Sequence, residues 1–232
     1  MSQVRLDKYL VSQGICSRSE AKLHCRRGDV TVNNRSVRDS SQKIDTSDRV
    51  VFCGEPVLYA EHLYIMLNKP KGVISATEDP AQRTVTDLLP ETWQRRGIFP
   101  VGRLDKDTEG LLLLTDDGKW AHRITAPKKK IFKTYMAEVE GCIPENINER
   151  FQAGILLEDG YACAPGFAEP VQENRIKIQI CEGKFHQVKR MCKAVGLTVV
   201  GLERVRIGEL ALDAELKRGE YRLLCAEEVA IF

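Results

Sequence analysis

The 232-residue chain reads as an α+β protein in two parts, a small module over residues 1–58 and a larger domain over 59–232. Three observations point there. Helix-like and strand-like segments interleave along the whole chain. From Glu55-Pro56 to His62 no period holds and a proline interrupts, as in a linker. The cations are unevenly shared, with 10 basic against 7 acidic residues through Leu58 and 25 against 26 beyond it.

Composition sets the outer bounds. With 43% hydrophobic and 29% charged residues the chain is globular in type. No apolar run approaches the roughly 18 residues that span a bilayer. The start, Met1 to Lys8, lacks the apolar stretch of a secretory signal, so the expected address is cytoplasmic. The net charge is only +2, so any contact with nucleic acid must come from local patches. The eight cysteines (16, 25, 53, 142, 163, 181, 192 and 225) include no C-x-x-C pair, and no histidine joins them at zinc spacing. Reduced, mostly buried thiols and no metal are expected.

In the first part, Arg5 to Gln13 has Leu6, Tyr9 and Leu10 on one helical face, and Gly14 ends it. Ser17-Arg18-Ser19-Glu20 has the form of a capping box. The helix it opens runs to about Arg27 and stops at Gly28. Arg18, Lys22 and Arg26 recur along it every four residues, ~6 Å apart on one face. Such a stripe suits a run of phosphates and is equally compatible with a solvated face. Val30-Thr31-Val32 alternates into an Asn33-Asn34 turn, and Arg49 to Phe52 is a further strand.

In the second part, Leu63–Leu67, Leu111–Leu114, Lys133–Glu140, Arg175–Cys181 and Thr198–Ile207 read as strands. Thr84–Leu89, Trp120–Thr125, Asn146–Ala153 and His186–Val195 read as helices. Neither a dinucleotide fingerprint nor a P-loop occurs. The densest basic tract is Arg123, Lys128, Lys129, Lys130 and Lys133, read as a loop that faces RNA or as solvated surface. Val101-Gly102-Arg103-Leu104-Asp105-Lys106-Asp107-Thr108-Glu109-Gly110-Leu111 brackets a charged turn between glycines and feeds it into an apolar strand. That places a carboxylate on a tight loop at the mouth of a sheet.

Two resemblances add to this reading. R-L-D-K-Y-L, C-S-R-S-E-A and G-D-V-T-V-N-N-R, over residues 3–50, resemble the RNA-binding module first described in small-subunit ribosomal protein S-four. The likeness implies Arg5, Lys8, Arg18, Lys22 and Arg26 as phosphate contacts. The run from Arg103 to Leu111 resembles the R-L-D-x-x-T-x-G-L signature of pseudouridine synthases. Asn68-Lys69-Pro70-Lys71-Gly72 matches N-K-P-x-G, Lys133-Thr134-Tyr135 matches K-T-Y, and Gly183 to Met191 matches G-x-x-H-Q-V-K-R-M. Together these resemble the RsuA family of rRNA pseudouridine synthases, which joins the two parts in this order.

That resemblance implies a catalytic domain on a mixed, mainly antiparallel sheet flanked by helices. It also implies a cofactor-free isomerisation of a uridine, which needs no redox partner. Asp105 would be the nucleophile on a flipped-out base, and Tyr135 would stack on that base. Arg103 would fill the space the base leaves, its alternative being a local ion pair to Asp105 or Asp107. A cation within about 4–6 Å of Asp105 is needed beside polyanionic RNA. In the family a Lys or Arg of this segment takes that place, which maps onto Lys189; Arg190 lies about 100° away on the helix, so only one of the two should face the pocket, and a phosphate-binding surface cation is the other reading of either. Lys128, Lys129 and Lys130 would touch RNA. His122 and His186 read as structural hydrogen-bonding groups.

Trp120 to Pro127 resembles the members that act on 16S rRNA of the small subunit, which implies a uridine of the uridine-516 type. The expected partner is rRNA in a small-subunit assembly intermediate, bound by a monomer without a membrane or a metal. A 23S rRNA synthase of the same chemistry, or a non-catalytic RNA-binding assembly factor, is the alternative.

Overall fold

The computed structural model describes residues 3–232 and divides into two compact units. One takes the chain up to Leu63 together with Leu89–Ile98; the other takes Tyr64–Leu88 with Phe99–Phe232.

The first unit opens with β1 (Gln3–Arg5), α1 (Leu6–Ser12) and α2 (Arg18–Arg27). Ser17 and Glu20 form the expected capping box at the start of α2. Gly28 closes the helix in the left-handed conformation at φ 87°. Then follow β2 (Val30–Val32), β3 (Arg35–Ser36), β4 (Lys43–Asp45), β5 (Val50–Phe52) and β6 (Glu55–Val57). A four-stranded sheet runs β3-β2-β5-β6, and β1 pairs with β4. Leu6, Tyr9, Leu10, Ala21, Cys25, Val30 and Val50 form its core.

Two expectations change here. Residues 55–57, read as linker, are an edge strand: Pro56 stands opposite Val51 at the rim of the sheet, where a missing N–H is tolerated. Residues 89–98, read as part of the larger domain, carry α3 (Glu91–Gln94) and belong to the first unit. Arg96 holds them there through Gln13 Oε1 at 2.8 Å and the Ala60 carbonyl at 3.0 Å. Gly14 permits the approach, because a Cβ there would lie 1.8 Å from the Thr92 carbonyl oxygen.

The second unit is built on one sheet. Its strands are β7 (Tyr64–Lys69), β8 (Phe99–Pro100), β9 (Glu109–Thr115), β10 (Lys133–Glu140), β11 (Phe167–Gln172), β12 (Arg175–Ile180), β13 (Thr198–Ile207), β14 (Leu210–Ala211) and β15 (Tyr221–Leu223). The order β11-β12-β10-β13-β9-β7-β15 is antiparallel except where β13 meets β9. Around it lie α4 (Gly118–Thr125), α5 (Ile147–Ala153), α6 (Gln187–Ala194) and the short α7 (Ala226–Val229). The helix expected over Thr84–Leu89 is only a 3-10 turn, Thr86–Leu88.

Leu111 to Leu114 have no exposed surface, so β9 is covered on both faces and reads as an unbroken apolar run. Trp120 of α4 packs edge-on against Tyr64 and Phe232 and donates to the Val229 carbonyl at 3.0 Å. All eight cysteines are free thiols, but only 16, 25, 163 and 192 are buried, while 53, 142 and 225 are exposed. Among the described residues no helix is long and apolar enough to cross a membrane.

Candidate active site

The loop from Val101 to Thr108 is fixed at both ends. At its start the Val101 N–H donates to the Leu113 carbonyl at 2.7 Å, and Gly102 turns at φ 80°. At its end Gly110 sits opposite Arg204 of β13. A Cβ at Gly110 would lie 2.3 Å from the Arg204 carbonyl oxygen, so the second glycine of the motif is what lets β9 pair there.

Beneath the loop lies Lys69, with no exposed surface. Its ammonium donates to the carbonyls of Thr108 (2.9 Å), Asp105 (3.1 Å), Pro70 (3.1 Å) and Lys106 (3.3 Å). Burial pulls its pKa down to about 8, against the opposing pull of Asp107, Asp105 and Glu109. Ser75 adds a second clamp, accepting from the Leu104 N–H at 3.0 Å and donating to the Leu104 carbonyl at 2.9 Å. Asp105 is therefore carried on backbone that cannot drift.

The Asp105 side chain is about a quarter exposed and lines a recess of about 50 Å³ with Arg103, Thr108, Tyr135, His186 and Leu202. A larger cavity of about 590 Å³ shares Arg103, Tyr135, Gly183 and Lys184 with that recess. It falls in the size range of small-molecule sites. Tyr135 is buried on β10 between β12 and β13, and among the described residues its hydroxyl has no hydrogen-bond partner. Arg103 is exposed at the rim, and it forms neither of the ion pairs considered for it.

The side chain nearest Asp105 is not the expected lysine. Lys189 pairs with Asp107 at 2.5 Å and Arg190 with Asp159 at 2.5 Å. His186 Nε2 is the group near Asp105, 3.7 Å from Oδ1. His186 is the N-cap residue of α6 in a left-handed backbone conformation, φ 49°, which costs free energy for any residue but glycine. Phe185 stacks on its ring at 3.8 Å, and Gln187 pins the loop through the Lys184 N–H and Glu182. The strained turn brings the imidazole to the carboxylate, and one-dimensional spacing gives no warning of that. Lys189 holds the same loop two residues further on and lowers the Asp107 pKa.

None of the remaining expected contacts lines this recess. Lys8, Arg18, Lys22 and Arg26 are exposed on α1 and α2 without an ion pair among the described residues. Arg5 is engaged with Asp7 at 2.6 Å. Lys128 and Lys129 lie exposed in the 3-10 turn Pro127–Lys129, and Lys130 lines the larger cavity. Arg123 is drawn to the Phe232 carbonyl at 2.6 Å. Folding also brings His24 Nδ1 to 2.9 Å from Asp29 and 3.5 Å from Cys53, a grouping that spacing along the chain does not disclose.

Residues 63–194 match the RNA pseudouridylate synthase family and residues 4–50 the S4 domain. An uncharacterized RNA pseudouridine synthase of Bacillus subtilis, YtzG, is 45% identical, with 97% of each chain covered. Ribosomal small subunit pseudouridine synthase A of Escherichia coli is 41% identical, covering 98% of this chain and 99% of that one. A crystal structure of a pseudouridylate synthase superposes with a TM-score of 0.69 at 37% identity over 98% of both chains. The chain belongs to the RNA pseudouridylate synthase family and is an isomerase that carries an S4 domain ahead of its catalytic domain.

Proposed function

We propose that residues 59–232 convert a uridine of small-subunit rRNA to pseudouridine, with Asp105 as nucleophile, while residues 1–58 hold the RNA. The reaction breaks the bond from ribose C1′ to uracil N1, turns the base, and joins C1′ to C5. The C5 proton leaves and N1 gains one, so the product is an isomer and no redox partner enters. A carboxylate at the sugar–base junction suits this, as it does at other glycosidic centres.

The observation that carries the reading is the recess itself: Asp105 beside a buried tyrosine and a histidine, on a loop held by three hydrogen bonds from Lys69. The base must leave its stack to reach it, at a cost of a few kcal/mol. Tyr135 offers the ring on which the everted uracil rests, and Arg103 at the rim takes its place in the RNA. The substrate assignment rests on the full-length likeness to ribosomal small subunit pseudouridine synthases.

Uridine tritiated at C5 loses its label on isomerisation. Wild type should release tritium from 16S rRNA at the uridine-516 type of site. Asp105→Asn should bind the same RNA and release at least about 10³-fold more slowly. Release from 23S rRNA alone would move the substrate to the large subunit. Release from neither would leave an RNA-binding factor.

A further inference from the structure

The larger cavity is lined by five cations, Arg103, Lys130, Lys133, Lys184 and Arg204, and by a single carboxylate, Glu182. Glu182 is already engaged. It accepts from the Tyr161 hydroxyl at 2.7 Å, the Ala164 N–H at 3.0 Å and Gln187 Nε2 at 2.8 Å.

Two of the cations are not solvated surface groups. Arg204 is only 4% exposed; its Nε donates to the Leu111 carbonyl at 2.8 Å, and its Nη2 is buried without a hydrogen-bond partner. Lys133 is half-buried, and its one hydrogen bond is a long one, 3.4 Å, to the Cys181 carbonyl. Burial first, and then the Arg204 charge, lower the Lys133 pKa. A buried donor left unmade and two like charges sharing one wall both cost free energy, which an anion between them would offset. The strand register puts that wall at the reaction centre. Arg204 stands directly opposite Tyr135 in the β10–β13 ladder, and Lys133 lies two residues from Tyr135 on β10.

We propose that this cavity is a phosphate subsite in which Lys133 and Arg204 hold one phosphodiester of the RNA strand beside the everted uridine. The identity of the ligand strand rests on the isomerase reading above. A uridine with its base against Tyr135 and its ribose at Asp105 brings its own phosphates to this wall, and they are its only anionic groups. Fixing one there registers the sugar against the carboxylate. It also keeps the phosphate charge between cations rather than facing Asp105. Lys133 touches the ligand, and Arg204 acts from behind it as a second donor fixed by β9.

The test uses the full-length protein and a 16S rRNA fragment in which neutral methylphosphonates replace single linkages, one at a time across the target region. Dissociation constants come from fluorescence anisotropy, and KM and kcat from tritium release. One neutral linkage next to the target uridine should raise both Kd and KM of the wild type about tenfold and leave kcat within a few-fold. Lys133→Met should show the same loss on native RNA and no further loss on the RNA with that linkage neutral. Arg204→Lys, which keeps the charge, should bind better than Arg204→Met, with thermal melting to confirm that both fold.

If Lys133→Met binds native RNA like wild type, or if the neutral linkage weakens it as much as it weakens wild type, the subsite is wrong. The same holds if no single linkage matters. Should wild type release no tritium from the fragment, the isomerase reading fails, and the coupling seen in Kd alone still decides the subsite.

Discussion

Arg18, Lys22 and Arg26 stand exposed along α2 with no ion pair among the described residues, whereas Lys69 has no exposed surface and gives its ammonium to four carbonyls. The residue types are the same and the physics is opposite. An exposed cation has lost little hydration and keeps its charge for an outside partner, so its worth depends on salt. A buried one has given up its water and must be repaid by fixed dipoles, so its worth is in holding backbone still and salt hardly reaches it. One region offers charge to an outside partner, and the other keeps a single carboxylate in place.

The sharpest way to break this comparison is Lys69→Met. It leaves four carbonyls, that of buried Thr108 among them, without their donor, and we expect a loss of about 3–5 kcal/mol in urea unfolding together with at least a hundredfold loss in turnover. The effect should be nearly independent of salt. It should also depend on pH with a definite sign. Lys69 titrates near 8 in the folded chain and near 10.5 when unfolded. Between those values the unfolded state binds more protons, so its contribution to stability rises with pH by about 1 kcal/mol per unit. The difference between wild type and Lys69→Met should therefore widen from pH 8 to 10.5. A flat difference would mean that the ammonium is not the buried charge described.

A middle-sized effect separates holding from reacting within the catalytic loop. Lys189→Met and Asp107→Asn each break the same 2.5 Å ion pair, whose carboxylate is two-thirds exposed and which by itself should contribute at most about 1 kcal/mol. If the pair only braces the loop, the two variants are alike. We expect them to differ: Lys189→Met slower by about tenfold at saturating RNA, Asp107→Asn within about twofold of wild type. The reason is that Asp107→Asn leaves the Lys189 cation on α6, one turn beyond His186, beside the loop that carries Asp105, whereas Lys189→Met removes the charge itself. Equal kcat values would reduce Lys189 to a brace.

The same contrast explains what the sequence discloses. The capping box of α2, its every-fourth-residue stripe and the alternation of β10 depend on neighbours close in the chain, and each stands in the structure where it was expected. The loop that carries Asp105 is legible because its glycines, its aspartate and its apolar strand are contiguous. The His186 contact was not, since it needs a left-handed turn that only tertiary packing enforces. Lys69 stood inside a recognised motif, yet nothing in N-K-P-x-G says that its ammonium will meet carbonyls 36 to 39 residues away. Arg204 likewise becomes a neighbour of Tyr135 only when β13 is laid beside β10. Pro56 misled for a related reason, because a proline forbids a central strand but not an edge.

The smallest expected effect tests the exposed side of the comparison. Arg18→Ala with Lys22→Ala removes two cations whose side chains are solvated and bonded to no acid within reach. Stability should change by no more than about 0.5 kcal/mol, because nothing buried is disturbed. Each lost phosphate contact should flatten the plot of log affinity against log salt by about one unit. Two lost contacts then weaken binding most at low salt and very little at high salt. Turnover at saturating RNA should stay near wild type, since these residues hold the strand without touching the reacting base. A large fall in kcat at saturation would show that α2 sets the orientation of the RNA as well as its affinity. The division between gripping and positioning would then run through the helix instead of between the two regions.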